Sequence, residues 1–224
     1  MSLGMALRPV QALGPVLSLQ RELVRELLAV VPRLHWRDGR TTAQGVAASV
    51  KSCEVAETYG DAVFSSDEGA ELLGRLHVSL LRDEGFIATA LPARLSALRF
   101  MRYGVGGEYG VHTDETLNAM GFRADLSFTI LLQEAELGGA LVVGGAPVPL
   151  LEGDVFVYPS TTAHGVTRVE AGERIVVVGW VQSQVRDHGK RALLAELHRM
   201  SQHPAECSAP SIQAVRNELL RRWC

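Results

Sequence analysis

The chain has 224 residues, of which 47% are hydrophobic and 21% are charged, and its formal net charge is −3. This length and apolar fraction suit one compact domain with a sizeable core, and the weak charge without a dense basic stripe gives no reason to expect nucleic-acid binding. No stretch reaches about eighteen uninterrupted apolar residues and the N-terminus lacks a secretory-signal pattern, so we expect a cytoplasmic protein without a membrane partner.

The N-terminal part, about residues 1–97, is predicted to be a helical support. Leucines recur at near-helical spacing between Leu17 and Val31, and Pro32 follows, which predicts an amphipathic helix there. A second helix is predicted from about Ser66 to Arg82, because an acidic start suits a helix N-terminus.

The central part, about residues 98–185, breaks into short β-forming runs separated by glycine, proline and polar turns. This pattern is typical of a jelly roll or double-stranded β-helix, a cupin-like core. Helices are predicted to return at about Gly189 to Met200 and Ser211 to Trp223, within a C-terminal segment of about residues 186–224. We therefore predict a single catalytic domain, residues 1–224, of the α+β class, with helices flanking the core at both ends.

The last predicted helix carries apolar residues on one side. The stretch from Pro204 to Pro210 before it is the plausible hinge, and through this hinge the helix could pack on a second subunit. A homodimer is therefore an expectation. The apolar positions are Ile212, Val215, Leu219 and Leu220.

The cysteines are odd in number and widely scattered, at Cys53, Cys207 and Cys224. This distribution argues against a disulfide framework and against a thiolate metal site. We expect reduced thiols.

A metal-binding pattern begins at His112-Thr113-Asp114. Because side chains alternate along a strand, His112 and Asp114 are predicted to share one face, and His164, after another β run, could complete a triangle with them. Two histidines and one carboxylate form the facial triad that binds non-haem Fe(II) and leaves positions open for substrate and dioxygen. In a chain with 7 histidines a chance His-x-Asp is common, so the third histidine and a following arginine carry the prediction.

Arg174 opens an apolar, β-branched run that ends at about Val181, so its guanidinium is predicted to start a largely buried strand. A buried cation needs an anionic partner, and the planar guanidinium suits a carboxylate held by two hydrogen bonds. The partner is either a protein acid or the carboxylate of a ligand. Together with the triad, the pattern favours a ligand. The candidate protein acids are Glu170, Glu173 and Asp154.

The string RYGVGGEYGVHTDE, followed by RADLSFTILL, GGALVV, GDVFVYPSTTAHGVTRV, GER and WVQSQVRD, resembles the 2-oxoglutarate and Fe(II)-dependent dioxygenases. The resemblance is closest to the PKHD-type (prolyl/lysyl hydroxylase-like) bacterial hydroxylases, and it is dense over about residues 98–198. It implies that His112, Asp114 and His164 are the catalytic iron ligands. It also implies that Arg174 binds the distal carboxylate of 2-oxoglutarate and that Tyr103 lines the cosubstrate pocket.

The activity implied by the resemblance is hydroxylation of an unactivated C–H bond with O2, while 2-oxoglutarate is converted to succinate and CO2. Two alternatives stay open: a cupin-like metalloenzyme that uses the triad without 2-oxoglutarate, and a non-catalytic module that senses a metal or a small acid. The loops around Glu115 to Gly121 carry no recognisable code for the primary substrate, which is a small molecule or a peptide.

Two aromatic residues near the predicted site have more than one interpretation. Tyr103 suits either the pocket or the core, because a buried tyrosine needs only one partner for its hydroxyl. Trp180 shares strand parity with Arg174 and should face the same interior, either as core packing or as a pocket wall. Packing is favoured, because a buried indole contributes most through its area.

Overall fold

The computed structural model describes residues 15–43, 45–117, 121–202 and 209–224. In these ranges two antiparallel sheets face each other, and helices cover the outer face of the larger sheet. The predicted α+β class with a double-stranded β-helix core is confirmed.

The strands alternate with short turns through most of the chain. They are β1 (Leu17–Ser18), β2 (Arg37–Asp38), β3 (Lys51–Ser52), β4 (Glu54–Glu57), β5 (Pro92–Leu95), β6 (Arg99–Tyr103), β7 (Glu108–His112), β8 (Leu126–Gln133), β9 (Leu137–Gly138), β10 (Leu141–Val143), β11 (Ala146–Pro147), β12 (Asp154–Pro159), β13 (His164–Val166), β14 (Val169–Ala171) and β15 (Arg174–Ser183). The helices are α1 (Arg21–Val30), α2 (Gly45–Ser49), α3 (Ala62–Ser65), α4 (Asp67–Arg82), α5 (Glu84–Ala90), α6 (His188–Gln202) and α7 (Ala209–Trp223).

The larger sheet has the order β1-β12-β8-β15-β6-β4-β2, and β5 also pairs with β15. The smaller sheet has the order β11-β10-β13-β7-β3, and a separate short pair joins β14 to β9. Helices α1, α4 and α5 each bury an apolar residue against the larger sheet, respectively Leu27, Leu76 and Phe86. The main core therefore lies between these helices and the larger sheet.

Strand β15 is the centre of the larger sheet, and its side chains alternate between the two faces. Val177 and Val181 join the core under the helices, whereas Arg174 and Trp180 border a cavity between the sheets. Gly179 lies on the core side, where an added Cβ would approach Phe128 Cζ to 2.5 Å, so a side chain does not fit there.

The N-terminal predictions are partly correct. The first helix begins at Arg21 rather than Leu17, because Leu17 pairs with Val155 as part of the larger sheet. The helix predicted from Ser66 is confirmed, and the Ser66 hydroxyl caps it by accepting a hydrogen bond from the Gly69 N–H. The N-terminal part is not purely helical, because strands β1 to β5 also belong to the two sheets.

The predicted C-terminal helices are confirmed, and they pack on each other. Leu219 and Leu220 of α7 pack against a small cluster with Leu91 and Leu194, so these two apolar positions are partly buried within the chain. Val215 is exposed. Most of the predicted hinge falls on residues 203–208, outside the described ranges. The homodimer stays a prediction.

Two of the three cysteines lie in the described ranges, and both Cys53 and Cys224 are free thiols. Cys207 lies outside those ranges. Within the same ranges, no helix combines the length and the apolar character that crossing a lipid bilayer requires.

Candidate active site

The predicted triad comes together where two strands of the smaller sheet pair. His112 at the end of β7 lies opposite His164 at the start of β13, and the next residue, Gly165, has no room for a Cβ, which would lie 2.6 Å from Tyr109 O. One ligand atom from each of His112, Asp114 and His164 lies within 4.8 Å of the others. The triangle expected from the sequence is therefore present.

One detail of the prediction was wrong, because strand β7 ends at His112 and Asp114 lies just beyond it. Asp114 is held there by its own N–H, which donates to Ser160 O at 3.1 Å. The carboxylate therefore reaches the histidines from a tethered loop and not through strand alternation.

Hydrogen bonds around the triad orient its ligand atoms. Nδ1 of His112 lies 2.9 Å from Gly110 O, and Nδ1 of His164 lies 2.9 Å from Thr162 O. A carbonyl oxygen can only accept, so each Nδ1 carries a proton, and in the neutral form of the ring the lone pair is then on Nε2. The Nε2 atoms face the Asp114 carboxylate at 3.8 and 3.6 Å.

The Asp114 carboxylate is fixed by two donors on the larger sheet. Its Oδ2 accepts from Trp180 Nε1 at 2.9 Å and from the Ser127 hydroxyl. Such partners of a ligand residue fix its orientation and strengthen metal binding.

The electrostatic environment favours neutral imidazole at His112. Burial lowers the pKa of His112, and the Tyr109 ring stacks on it with the centroids 3.7 Å apart. A histidine must be neutral to bind a metal. Two imidazoles and one carboxylate on one side of a cavity are a donor set that fits Fe(II).

Arg174 is a buried cation that forms no ion pair with any described residue. Arg174 is only 3% exposed. Among the described residues, no carboxylate oxygen lies within 4.0 Å of its guanidinium nitrogens. Nε and Nη2 have no hydrogen-bond partner in that same part of the chain. Burial lowers the pKa of Arg174, but a guanidinium stays charged at any ordinary pH. The Arg174 guanidinium therefore offers two buried N–H donors that fit an anionic group.

Among the described residues, none of the three acids proposed as alternative partners, Glu170, Glu173 and Asp154, has a carboxylate oxygen within 4.0 Å of the Arg174 guanidinium. Asp154 accepts from the Ser18 hydroxyl and from the Leu151 N–H. Glu173 has Arg102 as its neighbour, at 3.7 Å.

The triad and Arg174 border one cavity of about 1140 Å³ between the two sheets. Tyr103 and Tyr158 also line it. The cavity thus has metal-ligand atoms in one place and an unpaired guanidinium in another, which suits a ligand that carries an anionic group at its far end.

The structure places the two aromatic residues differently from each other. Tyr103 is 1% exposed, pairs with Arg174 across β6 and β15 and borders the cavity, so both interpretations of it agree with the structure. The preference for Trp180 as core packing was wrong, because its indole is a wall of the cavity and donates to Asp114. Strand parity predicted the face, but no sequence signal could reveal that hydrogen bond.

Three further residues of the site were not predicted. Ser127 bonds Asp114, Tyr109 stacks on His112, and Lys51 lies over the Tyr109 ring. Ser127 carries a weak signal, since it is a polar residue in the apolar run of β8. Lys51 lies far from the triad motif in the sequence, and Tyr109 lies between Gly107 and Gly110 just before it. No sequence pattern marks either residue as part of the site.

Comparison with known proteins agrees with this geometry. A sequence profile described as the 2OG-Fe(II) oxygenase superfamily matches residues 98–182. A PKHD-type hydroxylase of Acidovorax ebreus is 35% identical, with 92% of this chain and 95% of that protein covered. Another, of Parvibaculum lavamentivorans, is 34% identical, with 89% and 93% covered.

Solved structures share the fold at low sequence identity. A viral collagen prolyl hydroxylase from Paramecium Bursaria Chlorella virus-1 has a TM-score of 0.52 at 13% identity, with 74% of this chain and 92% of that one covered. A prolyl hydroxylase from Trichoplax adhaerens has a TM-score of 0.54 at 13% identity, with 73% and 77% covered.

Proposed function

Because the chain belongs to the PKHD-type hydroxylases of the 2OG-Fe(II) oxygenase superfamily, we propose that His112, Asp114 and His164 hold its catalytic Fe(II). The protein is an Fe(II)- and 2-oxoglutarate-dependent oxygenase of the hydroxylase type. The proposal assigns the metal-binding and cosubstrate-binding roles to particular residues. The meeting of the three ligand atoms in one cavity supports it.

The observation that carries the proposal furthest is the unpaired guanidinium of Arg174. We assign to it the distal carboxylate of 2-oxoglutarate, because Nε and Nη2 are buried without partners and a planar fork of donors matches a carboxylate. Tyr103, the neighbour of Arg174 across the strands, would form one wall of the same subsite.

When bound, Fe(II), 2-oxoglutarate and O2 supply the oxidative chemistry that hydroxylates a C–H bond and releases succinate and CO2. The protein positions the reactants. The backbone hydrogen bonds of the two histidines orient the rings and place the proton of the neutral form on Nδ1, so that Nε2 would face the metal. Trp180 and Ser127 fix the carboxylate of Asp114.

The two alternative functions account for less of the structure. A metalloenzyme that does not use 2-oxoglutarate needs the triad but has no use for Arg174. A sensor of a small acid could use Arg174, but the relatives that this chain matches are hydroxylases. A buried guanidinium without a counter-ion costs several kcal/mol, so it is retained where an anionic ligand compensates it.

The test is an anaerobic titration of the metal-free protein with Fe(II) and then 2-oxoglutarate, followed by the visible metal-to-ligand charge-transfer band. We expect a band in the wild type, no band in His112→Ala and a weakened band in Arg174→Ala. Arg168→Ala is the matched control, because this exposed arginine lies near Glu108 on the surface. Wild-type 2-oxoglutarate affinity in Arg174→Ala would contradict the assignment of that residue.

The primary substrate, the location and the assembly state are further parts of this proposal. The substrate is a small molecule or a peptide that enters the cavity, with no nucleic acid or membrane as partner.

A cytoplasmic location is supported by the free thiol of Cys53, since reduced cysteines are usual there. Light scattering at increasing concentration tests the homodimer.

A further inference from the structure

A second cation of the cavity wall is not used by the proposed function. Lys51 of β3 is 6% exposed and lines the same cavity as the triad. Its Nζ donates to the Thr42 hydroxyl at 3.0 Å and lies 4.8 Å from the centre of the Tyr109 ring. Tyr109 in turn stacks on His112, so one aromatic ring separates the ammonium from a proposed iron ligand.

Lys51 has no anionic partner in the described part of the chain, where no carboxylate oxygen lies within 4.0 Å of its Nζ. The acidic group with the largest electrostatic effect on it is the Cys53 thiol, whose pKa burial raises to about 11, so this thiol is neutral. The two carboxylates that act on it have other partners, since Asp38 pairs with Arg40 and Asp114 accepts from Trp180. Burial lowers the pKa of Lys51. Buried lysines are rare unless paired, and this ammonium keeps N–H donors beyond the one that Thr42 accepts.

The surroundings of Lys51 differ from those of Arg174. Lys51 belongs to the smaller sheet and pairs with Tyr109, whereas Arg174 belongs to the larger sheet and pairs with Tyr103. The other cation that bears on Lys51 is Arg99, whose guanidinium is already matched by Glu57. In the described part of the chain, the cavity therefore presents two buried cations, Lys51 and Arg174, that lie on opposite sheets and have no carboxylate within 4.0 Å.

We propose that Lys51 binds an anionic group, a carboxylate or a phosphate, on the primary substrate. The inference rests on the proposed function, in which Arg174 and the metal take both ends of 2-oxoglutarate and leave Lys51 for the molecule that is oxidised. The ammonium is a compact point charge that suits either anion. The substrate class is thus an acidic small molecule or a peptide with an acidic group next to the oxidised position.

The experiment uses protein loaded anaerobically with Fe(II) and saturating 2-oxoglutarate, so that Arg174 is occupied. Acetate, phosphate and the neutral acetamide are then titrated at constant ionic strength. Binding is followed by tryptophan fluorescence, because Trp180 borders the cavity, and by the charge-transfer band. The variants are Lys51→Met, which keeps the length of the side chain, and Lys51→Gln. Lys190→Met is the matched control, because Lys51 and Lys190 are the only lysines of the chain.

We expect acetate or phosphate to bind the wild type and Lys190→Met, and to bind both Lys51 variants at least about tenfold more weakly, as befits the loss of a charged hydrogen bond. Acetamide should show no such difference. Whichever anion binds more tightly identifies the group that the substrate carries. Melting temperatures of the metal-free variants, compared with the wild type, show that both are folded.

The inference is overturned if neither anion binds the wild type, or if both bind the Lys51 variants equally well. It is also overturned if Lys51→Met weakens 2-oxoglutarate binding and leaves acetate binding unchanged, since Lys51 would then serve the cosubstrate. Failure of the proposed function looks different, because the charge-transfer band would already be missing before any acetate is added. The fluorescence titration reports on Lys51 in that case too.

Discussion

The two faces of the larger sheet differ in the polarity of their side chains. The face under the helices is apolar and close-packed, with Phe86 edge-on to Phe128 at 5.8 Å between ring centroids. The face toward the smaller sheet carries Arg174, Trp180 and Ser127, and borders a cavity. The side chains of the first face pack against each other, whereas Nε and Nη2 of Arg174 on the second face have no hydrogen-bond partner among the described residues.

This difference separates stability from function along a single strand. Residues one position apart on β15, such as Arg174 and Ile175, belong to the cavity and to the core, respectively. A buried polar group without a partner costs free energy. The unpaired donors on the cavity face therefore lower the stability of the ligand-free protein. Substitutions on the two faces should therefore change different measured quantities.

The largest effect is expected from the core face. Phe86→Ala removes a fully buried ring, which should lower the free energy of unfolding by about 3–5 kcal/mol. Urea denaturation of the metal-free protein measures it. At a temperature where the variant is folded, its affinity for 2-oxoglutarate should stay near that of the wild type. A large loss of affinity in the folded variant would mean that the two faces are coupled.

The opposite result is expected on the cavity face. Arg174→Met should weaken 2-oxoglutarate binding by about 2–5 kcal/mol, because a buried charge partner is lost. The free energy of unfolding of the metal-free protein should stay the same or rise, because an unpaired buried charge is replaced by an apolar side chain of similar length. The measurements are anaerobic titration and urea denaturation. Destabilisation would show that Arg174 supports the fold.

The core face was the easier one to predict from the sequence. The apolar, β-branched run of β15 and the acidic start of α4 predicted their elements correctly, because both signals are local in the sequence. The triad and Arg174 were also found, because their spacing matches a known set of ligands. The strands β1 to β5 were missed because they are short and depend on pairing with distant strands. Lys51 was missed because its burial arises only when β3 joins β7.

A smaller effect is expected where the cavity face supports the metal ligands. Trp180→Phe keeps an aromatic wall but removes the N–H that bonds Asp114, and loss of such a partner typically lowers metal affinity by about 10–100-fold. Competition with a metal chelator measures this affinity. Trp36→Phe is the matched control, since its indole bonds the Val31 carbonyl away from the triad. Equal losses in both variants would assign the effect to general loosening of the fold.

The smallest effect is expected for the pH dependence of stability that arises from His112 on the smaller sheet. Burial lowers the pKa of folded His112 below its ordinary value of 6.5, so as the pH falls through about 6.5 the unfolded chain takes up a proton that the folded metal-free protein does not. Stability is therefore present above that pH and is lost below it, until folded His112 also becomes protonated. We expect the free energy of unfolding to be lower at pH 5.5 than at pH 7.5. His188 and His198 contribute with the same sign, because burial lowers their pKa values too.

The contribution of His112 is measured by comparing the wild type with His112→Gln. The decrease in the free energy of unfolding between pH 7.5 and pH 5.5 should be smaller in the variant. An unchanged decrease would mean that the triad histidine is not held neutral by its surroundings.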